Sequence, residues 1–339
     1  MTEPLVDALL AAPVGVCLLA ALEGLEHDDL RWWDHPKQVD AAAVGRAAAS
    51  MATAAFGDVV ALAVERGERD AGAWMSDAPA NVASAYRGAE GRRPIAEALV
   101  ARFGHQLEQP IDLAGQEWWT SPPSENPRWA PCFLDLSTGY DGGEFPWGGL
   151  RTTTRPPEAA HDPMVGAWEI YPEPVSRWHL PVVGTPRIWE IHRPDDWGRL
   201  VEAFPRSADP HGSWSLPGPN QRTHEVREVV AASGQRAART EVAGHRVPDW
   251  PAVAGEYDAV HLSWAGYLTS EGFVSDLPGG GVAMLRYWFA ERALWLRDVF
   301  GEPAPMGAPV LQGGRGTDAR RDPVRLQADR DVLRILLGR

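Results

Sequence analysis

The chain has 339 residues, more than one hydrophobic core usually serves, so two domains are the first expectation. Its 44% hydrophobic and 23% charged residues are those of a folded protein, which argues against disorder. A formal net charge of −14, with only short basic pieces such as Arg92-Arg93 and Arg320-Arg321, repels phosphate backbones and sets nucleic acid aside as a partner.

The N-terminus, Met1-Thr2-Glu3-Pro4, lacks a cationic leader region, and the apolar run Leu9 to Leu22 is too short and too rich in Ala and Gly to span a bilayer. A cytoplasmic chain with no membrane segment is therefore expected. Cys17 and Cys132 are far apart and read as two buried thiols, not a disulfide framework or a zinc cluster.

Residues 1–104 read as a helical accessory domain. Ala-rich stretches from Leu5 to Leu25, Asp40 to Arg66 and Arg93 to Phe103 carry apolar residues at three- and four-residue spacing. Asp40 is the expected N-cap of the second stretch and Gly67 its expected stop, while the polar segment Arg31 to Pro36 separates the first two.

Residues 105–130 shift abruptly to Pro, Trp, Ser and Glu and read as a linker or a long ordered loop. A Trp-rich α+β domain is expected over 131–300. Its strands are Cys132 to Leu136, the Thr-rich Gly148 to Thr154, Trp178 to Val183, and Arg187 to His192, which alternates apolar and polar residues. A helix opens at Asp195-Asp196-Trp197, where two acids sit in the first turn and match the helix dipole. After a Pro- and Gly-rich loop over 206–222 come a short helix at Trp250 to Ala254 and a strand at Ala259 to Ser263. A turn at Pro278-Gly279-Gly280-Gly281 leads to Val282 to Tyr287, and a further apolar run follows from Ala293 to Leu296. Residues 301–339 form a Pro/Gly-rich tail and a helix from Asp322 to Leu337.

Several chemistries have no signature here. There is no phosphate loop, no His-Glu-x-x-His, no paired Cys-x-x-Cys and no Gly-x-Ser-x-Gly elbow. Gly279 to Gly281 lack the helix-opening context of a dinucleotide fingerprint and fit a hairpin turn. His179, His192 and His261 are scattered over separate strands and make no metal triad, so no metal is expected. For His261, inside an apolar strand, a hydrogen-bonded core histidine is the default.

What remains is an ordered set of pieces. Thr152-Thr153-Thr154 follow Trp147-Gly148-Gly149, Trp189-Glu190-Ile191 precede a helix, Tyr257 to Leu262 form a later strand, and Glu291 lies between two apolar runs. This order resembles the ADP-ribosyltransferase superfamily over roughly residues 128–300. Its members place a cationic or His residue on an early strand, a Ser/Thr-x-Ser/Thr strand next and a catalytic Glu near a late strand. The resemblance implies NAD as a substrate whose ADP-ribose passes to an unknown acceptor, or to water.

Breaking the nicotinamide–ribose bond puts positive charge on the ribose, and an oriented carboxylate stabilises that charge. Glu291 is the expected catalytic carboxylate, Tyr287 and Trp288 the aromatics against nicotinamide, and Thr152 and Thr154 the strand hydroxyls. Arg128 and Arg151 compete for the pyrophosphate. Phe289, two residues before Glu291, departs from members with Glu or Gln there, so an arginine or asparagine acceptor is not supported.

The expected fold is α+β, an N-terminal helical domain plus a mixed, mostly antiparallel sheet domain of split-sandwich type. Two alternatives stay open. The 16 Trp residues could line a pocket for a small planar substrate in a tailoring enzyme. They could equally form the exposed surface of a non-enzymatic partner-binding or immunity-type module.

Overall fold

The computed structural model describes residues 3–24, 39–70, 82, 85–120, 150–154, 176–207, 245–286 and 288–306. The expected strand at 132–136, the C-terminal helix at 322–337, Cys132, Arg128 and Tyr287 lie outside these residues.

The first expected helix is two. Helix α1 spans Glu3–Ala11 and α2 spans Pro13–Gly24, with a 92° bend between them. Pro13 has no N–H to continue the ladder, and its ring blocks the carbonyl a turn earlier, so the chain turns and restarts. Helix α1 buries one face, Leu5, Val6, Leu9 and Leu10, whereas α2 is buried almost all round. That is the pattern of a core helix. No single helix among the described residues is long and apolar enough to cross a membrane.

Asp40 caps α3 (Ala41–Ser50) as expected, accepting from the backbone N–H groups of Ala42 and Ala43 at 2.8 and 3.3 Å. Its own N–H donates to Glu23 at the end of α2, whose other oxygen takes Arg92 Nε at 2.5 Å in a buried ion pair. Helix α4 (Phe56–Asp70) does not stop at Gly67. The glycine is there for close approach, since a Cβ at that position would fall on the hydroxyl of Tyr267. Helix α5 (Arg93–Leu107) buries Ile95, Leu99, Val100, Phe103 and Leu107.

The segment expected as a linker holds a central strand. Strand β1 (Gln116–Thr120) is followed by β2 (Leu150–Thr154), β3 (Ser176–His179) and β4 (Ile188–Ile191). Helix α6 (Pro194–Ala203) leads to β5 (Pro205–Ser207), then come β6 (Arg246–Pro248), α7 (Trp250–Glu256), β7 (Ala259–Leu262) and α8 (Trp264–Ser270). The hairpin β8 (Val274–Asp276) and β9 (Val282–Met284) precedes β10 (Arg292–Trp295) and β11 (Ala304–Pro305). Gly280 and Gly281 take φ of +87° and +93° in that hairpin, which confirms the glycine run as a turn.

Seven strands pair in the order β11-β3-β1-β2-β10-β7-β4, with two-stranded sheets β5-β6 and β8-β9 beside them. All pairs are antiparallel except β4 with β7, so the α+β class with a mixed, mostly antiparallel sheet is what the molecule has. Strand β2 is shared unequally. Its Thr153 and Thr154 pair with β1, while Leu150, Arg151 and Thr152 pair with β10. The two partners part company within one strand.

Strands β7 and β10 are buried on both faces and are apolar apart from His261 and Arg292. Their alternate residues feed two cores. Val260, Leu262 and Leu294 join the large one with Ile191, while Ala259, Ala293, Trp295 and Leu150 join a smaller one on the other face. The large core also contains the N-terminal helices. Phe56 of α4 meets Trp264 of α8 edge to face, with ring centroids 6.5 Å apart.

Candidate functional site: a row of charged groups across the sheet

Strand alternation puts Ile188 and Glu190 on one face of β4, directed toward the smaller core. Glu190 is in register with His261 on β7, and His261 with Ala293 on β10. Glu291, two residues before Ala293, therefore lies on the same face and reaches His261 diagonally from the neighbouring strand.

The resulting contacts run unbroken. His261 Nδ1–H donates to Glu190 Oε2 at 2.5 Å and Nε2–H to Glu291 Oε1 at 3.1 Å. The Thr153 hydroxyl donates to Glu291 Oε2 at 2.5 Å, and the Thr154 backbone N–H reaches the same oxygen at 3.0 Å. Beyond it the Gln116 side-chain amide of β1 donates to Thr154 Oγ1 at 3.0 Å, and its oxygen accepts from the Thr152 hydroxyl. Trp295 Nε1–H donates to Thr152 Oγ1 at 2.7 Å. At the other end, Ile111 N–H donates to Glu190 Oε1 at 3.2 Å, so the chain between α5 and β1 lies over the row.

Both ring nitrogens of His261 face carboxylates, so the imidazole is fully served as a donor only when it is protonated. Burial opposes that charge, but the bonds to Glu190 and Glu291 outweigh it and push its pKa up to about 9. Burial likewise works against the Glu190 carboxylate, and the His261 bond prevails, holding its pKa below the ordinary value. The row thus has one carboxylate more than it has imidazolium ions. His261 and Glu291 are almost wholly enclosed, with 2% and 5% of their side chains exposed, whereas Glu190 keeps 25%. The row has a buried end and a wet end.

His192 stands at the wet end. Its Nδ1 meets Ser263 Oγ at 2.9 Å, and its Nε2 lies 3.9 Å from Glu190 Oε2. Burial lowers its pKa, against the pull of Glu190. Two parallel strands, β4 and β7, supply His192 and Ser263 just past their ends, where α6 and α8 begin. Asp196 closes the first turn of α6 by accepting from His192 N–H and Arg193 N–H, a bonding role beyond the dipole match expected of the helix-opening acids. Arg193 pairs with Glu108.

The expected residues fare unequally. Glu291 is buried and bound on both oxygens; it is not a solvated side chain on an apolar element. Thr152 and Thr154 engage Gln116, and the threonine hydroxyl on Glu291 is Thr153, the middle one. Trp288 is fully enclosed in the large apolar core and offers no ring face to a ligand as it stands. Arg151 is half-buried on β2. Arg128 and Tyr287 lie outside the described residues.

Glu190, His261, Gln116, His192 and Ser263 were not expected at a site, and the first has a legible signal. A glutamate two residues after Ile188 in an alternating strand occupies a core-facing position, which a charge takes only with a partner. Among the described residues no group of three or more His, Cys, Asp or Glu has the arrangement to hold a metal ion. Comparison of the chain with protein-family models, with curated proteins and with solved structures returns no match.

Proposed function

We propose that the protein cleaves the nicotinamide–ribose bond of NAD in the cytoplasm and passes the ADP-ribose to an acceptor, or to water. Glu291 is the carboxylate that stabilises the positive charge developing on the ribose. The observation that carries the reading is the pair of bonds from Thr153 Oγ1 and Thr154 N to Glu291 Oε2. They join, on adjacent strands, the two pieces of sequence on which the superfamily resemblance rests. A carboxylate fixed by His261, Thr153 and Thr154 needs little reorganisation when charge appears beside it, and such fixed groups supply most of the electrostatic gain in catalysis.

The excess carboxylate in the row favours the same event. The Trp residues give the alternatives less support. Trp197, Trp250, Trp288 and Trp295 are fully buried, and the one exposed large hydrophobic side chain among the described residues is Val183.

Nicotinamide release from NAD, with and without acceptor proteins, is the test. Glu291→Gln is expected to retain NAD binding and to lose about 10²–10³ in rate. Because Glu291 is buried against an imidazolium, the same substitution also lowers stability by about 1–3 kcal/mol, read from denaturant unfolding. Wild-type protein that releases no nicotinamide and gains no thermal stability with NAD would sink the proposal.

A further inference from the structure

We propose that His192 is the proton acceptor of this site, its Nε2 taking the proton from the group that attacks the ribose; this rests on the NAD reading above.

The argument begins at Ser263. Its hydroxyl has a single proton and two acceptors within reach, the Ile191 carbonyl at 3.2 Å and His192 Nδ1 at 2.9 Å. The oxygen already accepts from Gly266 N–H at 3.1 Å. With the proton on the Ile191 carbonyl, the oxygen accepts from His192 at 2.9 Å, and Nδ1 carries the hydrogen. The neutral ring then has its lone pair on Nε2 of a side chain that is 26% exposed. Glu190 Oε2 is 3.9 Å away, beyond hydrogen-bond reach, and Nε2 makes no hydrogen bond among the described residues.

No other group in the row is placed for this task. Glu190 accepts from Ile111 N–H on one oxygen and from His261 on the other. Glu291 accepts from His261 on one oxygen and from Thr153 and Thr154 on the other. His261 has both nitrogens committed as donors. That leaves the His192 nitrogen as the open base.

The charged groups around it are Glu190 on its own strand, His261 from β7, and Asp196 and Arg193 from α6. Burial and the two cations favour the neutral ring, and the two carboxylates oppose them. The net effect lowers its pKa from 6.5, so the ring is unprotonated and able to accept at neutral pH.

In the step itself the attacking group X–H forms the X–C bond at the anomeric carbon. The C–N bond breaks and its electron pair leaves with nicotinamide, which departs neutral from its cationic form. The proton of X–H goes to Nε2, giving an imidazolium beside Glu190. Glu190 stabilises that new charge at 3.9 Å without holding the proton beforehand.

The experiment follows nicotinamide release from NAD by the full chain across a pH series. His192→Gln is expected to lower kcat by about 10²–10⁴, to leave KM for NAD near its wild-type value, and to abolish the fall of kcat on the acid side. Added imidazole is expected to restore part of the rate of His192→Ala, which a purely structural role would not allow. Long-range ¹H–¹⁵N NMR of the resting protein should show the proton on Nδ1 of His192. A His192→Gln enzyme with wild-type kcat and pH profile, while Glu291→Gln is inactive, overturns this assignment alone, as does a proton found on Nε2. A wild-type chain that releases no nicotinamide, or a Glu291→Gln variant as fast as wild type, removes the NAD reading and this assignment with it.

Discussion

His261 and His245 give the molecule opposite responses to pH. His261 has its pKa raised from 6.5 to about 9, so its contribution to stability is complete below pH 6.5 and is lost as pH rises through 9. His245 is fully buried, and burial first, then nearby Arg286, pushes its pKa down to about 3. Folding must keep that ring neutral, so the stability it permits is lost as pH falls from 6.5 toward 3. Glu190, with its lowered pKa, adds an acid-side loss below 4.5. Urea unfolding is therefore expected to give a stability maximum near pH 6.5, with His261→Gln flattening the alkaline side and the Glu190 loss below 4.5, while the His245 loss remains. A variant that leaves the alkaline side unchanged would contradict the imidazolium at the centre of the row. At this scale Glu291 stands out in the sequence as a lone carboxylate between two apolar runs, and the fold buries it and bonds both its oxygens. Thr153 does not stand out. Which of three adjacent hydroxyls reaches Glu291 depends on how β2 is set against the chain entering β10, and nothing in Thr-Thr-Thr marks that register. Phe289, at φ +65°, is a bulky residue in a left-handed turn just before Glu291, a strain of about 1–3 kcal/mol that sequence does not announce.

Periodicity and caps located most of the elements. Asp40, the strand at Ile188–Ile191 and the hairpin glycines all behave as their chemistry requires. The misses share a cause, which is that tertiary packing overrode a local signal. Gly67 looks like a helix stop and is a point of contact; Gln116–Thr120 sits in Pro- and Trp-rich sequence yet occupies the middle of the sheet. The first case is testable. Gly67→Ala would drive a methyl group into the Tyr267 hydroxyl, with an expected loss of about 1–3 kcal/mol despite the better helix propensity of alanine. Tyr267→Phe in the same chain removes the obstructing oxygen and is expected to recover part of that loss. If Gly67→Ala raises the melting temperature on its own, α4 and α8 are not in the contact described.

The helices before residue 108 and the elements after residue 245 share one apolar core, and this governs how the chain can be divided. The sequence, with its break in composition near residue 105, points to two separable pieces. A fragment ending at residue 115 would expose Phe56 and the α4 surface around Gly67, which Trp264 and Tyr267 cover in the intact chain. Such a fragment is expected to bind apolar dyes and to unfold without a sharp transition; a cooperative melt would show instead that the helical part is autonomous. The same entanglement bears on how the polar row comes into being. Its hydrogen bonds join residues 138, 71 and 30 positions apart, and only the looser approach of Glu190 and His192 lies within one local stretch of chain. Contacts of such long range form only after most loop-closure entropy has been lost, so the row has no local precursor. Assembly of the row would then be among the last events in a refolding chain, lagging behind its helical ellipticity, and a truncated or stalled product would lack it.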